Sequence, residues 1–144
     1  MARIATETEE QLKYETAVSK AKSHTPATSG VISRAACNAA NELKAAAIVS
    51  STKSGATARR ISQCRPECPI VAVTPSEKVA KSLAFCFGVY PVVAEDQNST
   101  DAMMANATKI AVENGFAKAG DTVVIAAGLD QVGSTNLLKV SVVE

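Results

Sequence analysis

The stretch Ser50-Ser51-Thr52-Lys53-Ser54-Gly55-Ala56-Thr57 holds the residue types best suited to chemistry, because six of its eight residues carry a hydroxyl or an ammonium group. It follows an apolar run, residues 45–49, and leads into a helical pattern from Ala56 to Gln63. A helix N-terminus presents backbone N–H groups that lack intrahelical acceptors, together with a partial positive charge. Such an end suits an anion, phosphate above all. Lys53 adds a full charge, Thr52, Ser54 and Thr57 add donors, and Gly55 permits close backbone approach. The same Ser/Thr content serves equally well as ordinary helix capping, and the Gly-x-x-x-x-Gly-Lys-Ser/Thr spacing of a P-loop is absent. Arg59 and Arg60, one turn on, either reach a second phosphate or a partner chain, or stand in solvent. A second glycine-bearing loop, residues 128–135, leaves a later strand and contains Gly133 and Ser134. It either lies across the first loop and closes a ligand site, or is a simple hairpin connection.

Other reactive groups are scattered. Cys64 and Cys68 flank Arg65-Pro66-Glu67, but a zinc site needs about four suitable ligands, and the single histidine, His24, is far away in a Ser/Thr/Pro segment. With Cys37 and Cys86 these cysteines read as reduced structural thiols. Glu42 and Asp121 are isolated carboxylates. No Gly-x-Ser-x-Gly elbow, Gly-x-Gly-x-x-Gly fingerprint or Cys–His pair stands out. The chain alone is therefore not expected to be an enzyme, although a stand-alone α/β enzyme acting on a phosphorylated substrate is an alternative.

The elements that must position these residues are legible from periodicity. A chain of 144 residues makes one ordinary domain. Hydrophobic residues at 47% and charged residues at 20% exclude wholesale disorder. Fifteen Lys and Arg against 14 Asp and Glu leave a formal charge of +1, which argues against a nucleic-acid partner. Aromatic residues at 3%, with no Trp, argue against a base-stacking platform. The longest apolar runs, 45–49 and 123–127, are far short of the roughly 20 residues of a membrane span, and the N-terminus lacks an apolar signal core. A cytoplasmic location and no membrane partner are expected.

Residues 1–28 read as a linker or docking segment, with a breaker cluster over 23–30, and residues 29–144 as the domain. A plain N-terminal helix packed on the domain is the alternative for the first stretch. From Val31, the spacing of Ile32, Ala36, Ala39 and Leu43 predicts a helix. Residues 45–49 and 69–73 read as strands buried on both faces. Thr74-Pro75-Ser76-Glu77 reads as a capping box, with Thr74 as cap, opening a helix that carries Val79, Leu83 and Phe87 and stops at Gly88. Val89–Val93 reads as a strand, and Pro91 marks it as an edge. Asn98-Ser99-Thr100-Asp101 opens a helix running to about Asn114. Thr122–Ala127 reads as a strand, and residues 137–143 alternate as a half-exposed final one. Strands alternating with helices imply an α/β fold with a largely parallel sheet. The last connection lacks a helix, so the fifth strand pairs antiparallel with the fourth or folds elsewhere.

Several motifs taken together resemble the C-terminal domain of pyruvate kinases. They are Thr52-Lys53-Ser54-Gly55-Ala56-Thr57-Ala58-Arg59, Arg65-Pro66, Pro69-Ile70-Val71-Ala72-Val73-Thr74, Gly88-Val89-Tyr90-Pro91, Gly120-Asp121-Thr122-Val123-Val124 and Ser134-Thr135-Asn136-Leu137-Leu138-Lys139-Val140. Met1-Ala2-Arg3-Ile4-Ala5 is similar to the segment by which that family's barrel leads into this domain. The resemblance implies a three-layer α/β/α sandwich with a five-stranded mixed sheet, order 3-2-1-4-5 and strand five antiparallel. It implies a regulatory and oligomerisation role rather than catalysis. Phosphoryl transfer between phosphoenolpyruvate and ADP, with its magnesium and potassium, belongs to a (β/α)₈ barrel that nothing in this sequence resembles, so no cofactor is implied here.

By the same resemblance, Thr52, Lys53, Ser54, Gly55 and Thr57, with Gly133 and Ser134 as further candidates, hold a phosphorylated effector. Members regulated by fructose bisphosphate use a Trp and an Arg after strand three for the second phosphate. Asp96 and Met103 stand roughly there in this sequence, and the late loop is about two residues shorter. A sugar monophosphate or AMP is therefore expected over fructose bisphosphate. The implied partners are the kinase barrel and further copies of the chain; a purely structural assembly domain is the alternative.

Overall fold

The computed structural model describes residues 4, 6–8, 27–97, 99–128 and 134–144. Residues 4 and 6–8 are helical, and most of the 1–28 segment, His24 included, lies outside the described residues. The ordered elements are α1 (Thr28–Glu42), β1 (Ala47–Ser51), α2 (Ala56–Gln63), β2 (Ile70–Thr74), α3 (Glu77–Leu83), β3 (Val89–Val93), α4 (Thr100–Glu113), β4 (Thr122–Ala127) and β5 (Leu137–Val142).

Period-two alternation splits the strand side chains between two cores. On one face Ile48, Ile70, Ala72, Val124 and Ala126 pack with α1, α2 and α3 through Ala36, Cys37, Ala58, Ile61 and Leu83. On the other, Ala47, Val49, Val71, Val123 and Ile125 pack with α4 through Met104, Ala107, Ile110 and Ala111. Strands β1, β2 and β4 are buried almost end to end because both of their faces are covered. Small alanines on α1 and α4 let those helices approach the sheet closely.

The sheet order is β3-β2-β1-β4-β5. β1 is parallel to β2 and β4, β2 is parallel to β3, and β5 runs antiparallel to β4, with Ile125 opposite Lys139. This is the expected three-layer mixed-sheet sandwich, with Pro91 on an edge strand.

Local boundaries differ from the sequence reading in four places. Helix α1 starts at Thr28, inside the segment read as a loop, because Thr28, Ser29 and Gly30 occupy a first turn that needs no intrahelical acceptors; Val31 N already donates to Ala27 O (3.1 Å). The box at Thr74 is displaced. Thr74 is the last, fully buried residue of β2, and its carbonyl accepts from Ala94 N (3.1 Å), so the ladder claims it. The cap of α3 is instead Ser76, whose Oγ accepts from Val79 N (3.4 Å). Glu77 then stands in the first turn and faces Lys81 (4.0 Å) rather than closing a box. Finally, α3 ends at Leu83, not at Gly88. Cys86 N donates to Leu83 O and Val89 N to Cys86 O, forming tight turns, and the Phe87 ring lies 4.5 Å from the Arg65 guanidinium. β1 also begins two residues later than read and takes in Ser50 and Ser51.

Candidate functional site

β1 and β4 are parallel neighbours, with Ser50 opposite Ala126, so the loops that follow them open at the same carboxyl end of the sheet. Ligands of open α/β sheets favour that end, beside the point where strand order reverses. In this sheet that point lies between β1 and β4.

The first loop is built from its own hydroxyls. Thr52 N continues the sheet by donating to Val73 O (2.9 Å). Thr52 Oγ1 accepts from Gly55 N (3.0 Å), and Ser54 Oγ accepts from Ala56 N (3.4 Å). Gly55 is the N-cap of α2 at φ +80°, where a side chain is strained, and it makes no side-chain cap of its own. Thr52 and Thr57 are buried, while Lys53 and Ser54 project into solvent. The candidate residues thus divide: Thr52, Gly55 and Thr57 shape the turn, and Lys53 and Ser54 form its accessible rim.

The later loop does meet the first. Thr57 Oγ1 and Thr135 Oγ1 share a buried hydrogen bond. A Cβ on Gly128 would come within 2.5 Å of the Ser134 carbonyl oxygen, so the two ends of that loop are pressed together. Ser134 therefore stands beside Thr135 at the N-terminus of α2, whereas Gly133 lies outside the described residues. Thr135 is the contact that sequence reasoning did not single out, since one threonine in a Ser-Thr-Asn run carries no signal of what it faces.

Arg59 is neither a free cation nor, in this structure, reaching away from the loop. Its guanidinium donates to the Ser54 carbonyl (Nη1, 3.1 Å) and to Ser82 Oγ (Nη2, 2.8 Å), tying the loop to α3. Arg60 is exposed. Lys53 Nζ lies 2.6 Å from Asp96 Oδ2, from the segment between β3 and α4. Ser50 Oγ, at the end of β1, is buried without a hydrogen-bond partner among the described residues.

The thiols sit elsewhere. Cys37, on α1, and Cys64, the C-cap of α2, are buried, and Cys37 Sγ lies 3.7 Å from Ile61 O. The Cys37 thiol is held well above its usual range by its hydrogen bond to Cys64 and by burial. Burial pushes Cys68 up to about 11. Cys37 and Cys68, held protonated, are poor nucleophiles, and Cys64, which the same hydrogen bond lowers, is buried away from solvent. No cluster of three or more His, Cys, Asp or Glu placed to hold a metal occurs among the described residues. A groove of about 520 Å³ lies between α4 and β5 beside Met104, Val112 and Val142; Lys109 on its rim is paired with Glu113 (3.6 Å). It shares no lining residue with the loop at 52–57. No helix among the described residues is long and apolar enough to cross a membrane.

Comparison with known proteins gives one answer throughout. Residues 30–141 match the family model described as pyruvate kinase, alpha/beta domain. A pyruvate kinase of Clostridium acetobutylicum is 44% identical over 147 aligned residues, covering all of this chain and 31% of the relative. One from Clostridium perfringens is 39% identical, covering 97% of this chain and 31% of its own length. One from Staphylococcus epidermidis is 48% identical over 103 residues, 70% of this chain and 18% of the relative. The chain thus spans about a third or less of the relatives it matches.

Proposed function

The chain belongs to the pyruvate kinase α/β domain family, and from that premise we propose that it serves as a regulatory and assembly domain, taking a phosphorylated small molecule at the 52–57 loop. Phosphoryl transfer from phosphoenolpyruvate to ADP would be the work of a partner barrel, in the cytoplasm, and not of this chain.

The observation that carries the reading is the division of labour in the loop. Thr52, Gly55 and Thr57 are buried in holding the turn, while Ser54, whose Oγ accepts from Ala56 N, and Lys53, beside Asp96, stand exposed at the N-terminus of α2. A displayed cation at a helix N-terminus suits a phosphate dianion. A monophosphate such as AMP or a sugar phosphate is favoured over fructose bisphosphate, because the chain has no Trp for the second phosphate.

Calorimetric titration with AMP, ribose 5-phosphate, glucose 6-phosphate and fructose 1,6-bisphosphate tests this. Saturable heat with a monophosphate is expected, weakened about tenfold or more in Lys53→Ala, the loss of a charge-assisted hydrogen bond. Silence across the panel at millimolar ligand removes the effector reading.

The assembly role has its own support. Among the described residues no strand pairs with the outer edge of β5, and Val140 and Val142 on that strand are exposed. An open strand edge with apolar side chains pairs readily with another copy.

A further inference from the structure

Lys53 already has an anion. Its ammonium is 2.6 Å from the Asp96 carboxylate, and that carboxylate arrives from a different loop, beyond β3. Carboxylate and phosphate oxygens are the same kind of acceptor for an ammonium. Lys53 is a compact point charge, so an oxygen at that distance occupies much of what it offers. Both partners are largely in solvent, with side chains 71% and 52% exposed, so the pair is weak and free to open. A structural lock would be buried; a contact meant to exchange partners would not.

We propose that Asp96 is a built-in competitor at the anion site: a phosphorylated ligand has to displace its carboxylate from Lys53 in order to bind. The proposal rests on the reading of the 52–57 loop as an anion site, and makes Asp96 a determinant of which anions succeed. An anion with nothing but charge competes poorly. A ligand with further groups to place on the loop prevails. A second phosphate directed toward the β3–α4 segment meets like charge.

Asp96→Asn keeps the shape and removes the charge. Binding of inorganic phosphate and of ribose 5-phosphate is measured at fixed ionic strength by ³¹P line shift and calorimetry. The proteins are the parent chain, Asp96→Asn, Glu95→Gln and the Lys53→Ala/Asp96→Asn double variant. Glu95 is exposed and adjacent, so it reports the general field of one carboxylate. Asp96→Asn is expected to bind both probes about three- to tenfold more tightly, the scale of one unit charge a few ångströms from a phosphate in water. Glu95→Gln should change affinity less than about twofold, and the gain should vanish once Lys53 is gone.

An unchanged or weaker Asp96→Asn, an equal gain in Glu95→Gln, or a gain that persists without Lys53 overturns the competitor while leaving the anion site standing. No binding by any protein, Asp96→Asn included, at tens of millimolar phosphate removes the anion site and the competitor together.

Discussion

Gly55 is where a single residue matters most to the candidate site. Its φ of +80° lies in the left-handed region, and a Cβ there would stand 3.1 Å from Val79 Cγ1 and 3.2 Å from both Leu83 Cδ2 and Arg59 Nη1. Backbone strain and crowding therefore act together. Gly55→Ala is expected to cost about 2–4 kcal/mol, read as a lowered denaturant midpoint with unchanged slope. A neutral result would show that α3 yields easily and that the loop is softer than its packing implies. The residue types of the loop were legible in sequence because hydroxyls, a lysine and a glycine before a helical pattern have a direct physical meaning. The partners of Arg59 and Lys53 were not. Ser82 and Asp96 lie on other elements, and nothing local encodes which long side chain will fold back and which will face water.

At the scale of elements, capping separates the helices. Ser99 Oγ accepts from Ala102 N (3.2 Å) at the start of α4, and Asp101 complements the dipole in its first turn. Helix α1 begins after Ala27 with no side-chain cap. Ser99→Ala should therefore lower stability by about 1 kcal/mol, while Ala27→Ser should raise it by a comparable amount, both measured by chemical denaturation. Equal and opposite shifts would mean that both helix starts form part of the same cooperative unit. The run Asn98-Ser99-Thr100-Asp101 is legible as a helix start because it follows a loop with no competing structure, and the structure picks Ser99 from it as the cap. The cap assigned to Thr74 was displaced to Ser76 because Thr74 is also β-branched and next to a buried strand. The sheet takes its carbonyl, and the helix starts where the ladder lets go.

At the scale of the whole molecule, the buried thiols tie stability to pH. Burial pushes Cys68 up to about 11 from an ordinary 9.0; the hydrogen bond between Cys37 and Cys64 raises the first and lowers the second. The native state holds the Cys68 proton more tightly than the unfolded chain does. The stability that the raised Cys68 pKa confers is complete below about pH 9 and is lost as pH rises through about 11. The melting temperature should fall over that window. The fall should be shallower in Cys68→Ala, which removes a contribution of about 2–3 kcal/mol; identical profiles would place the alkaline loss in other groups. Fold class, strand count and the candidate loop were determined by the sequence itself, because periodicity, breakers and helix-start chemistry act over a few residues. The neighbouring of β1 and β4 was implied only through the family resemblance, with its order 3-2-1-4-5. Tertiary structure alone decided that Thr57 meets Thr135 and that Asp96 occupies Lys53. Those contacts join residues far apart in the chain, and their geometry exists only after both faces of the sheet have been covered.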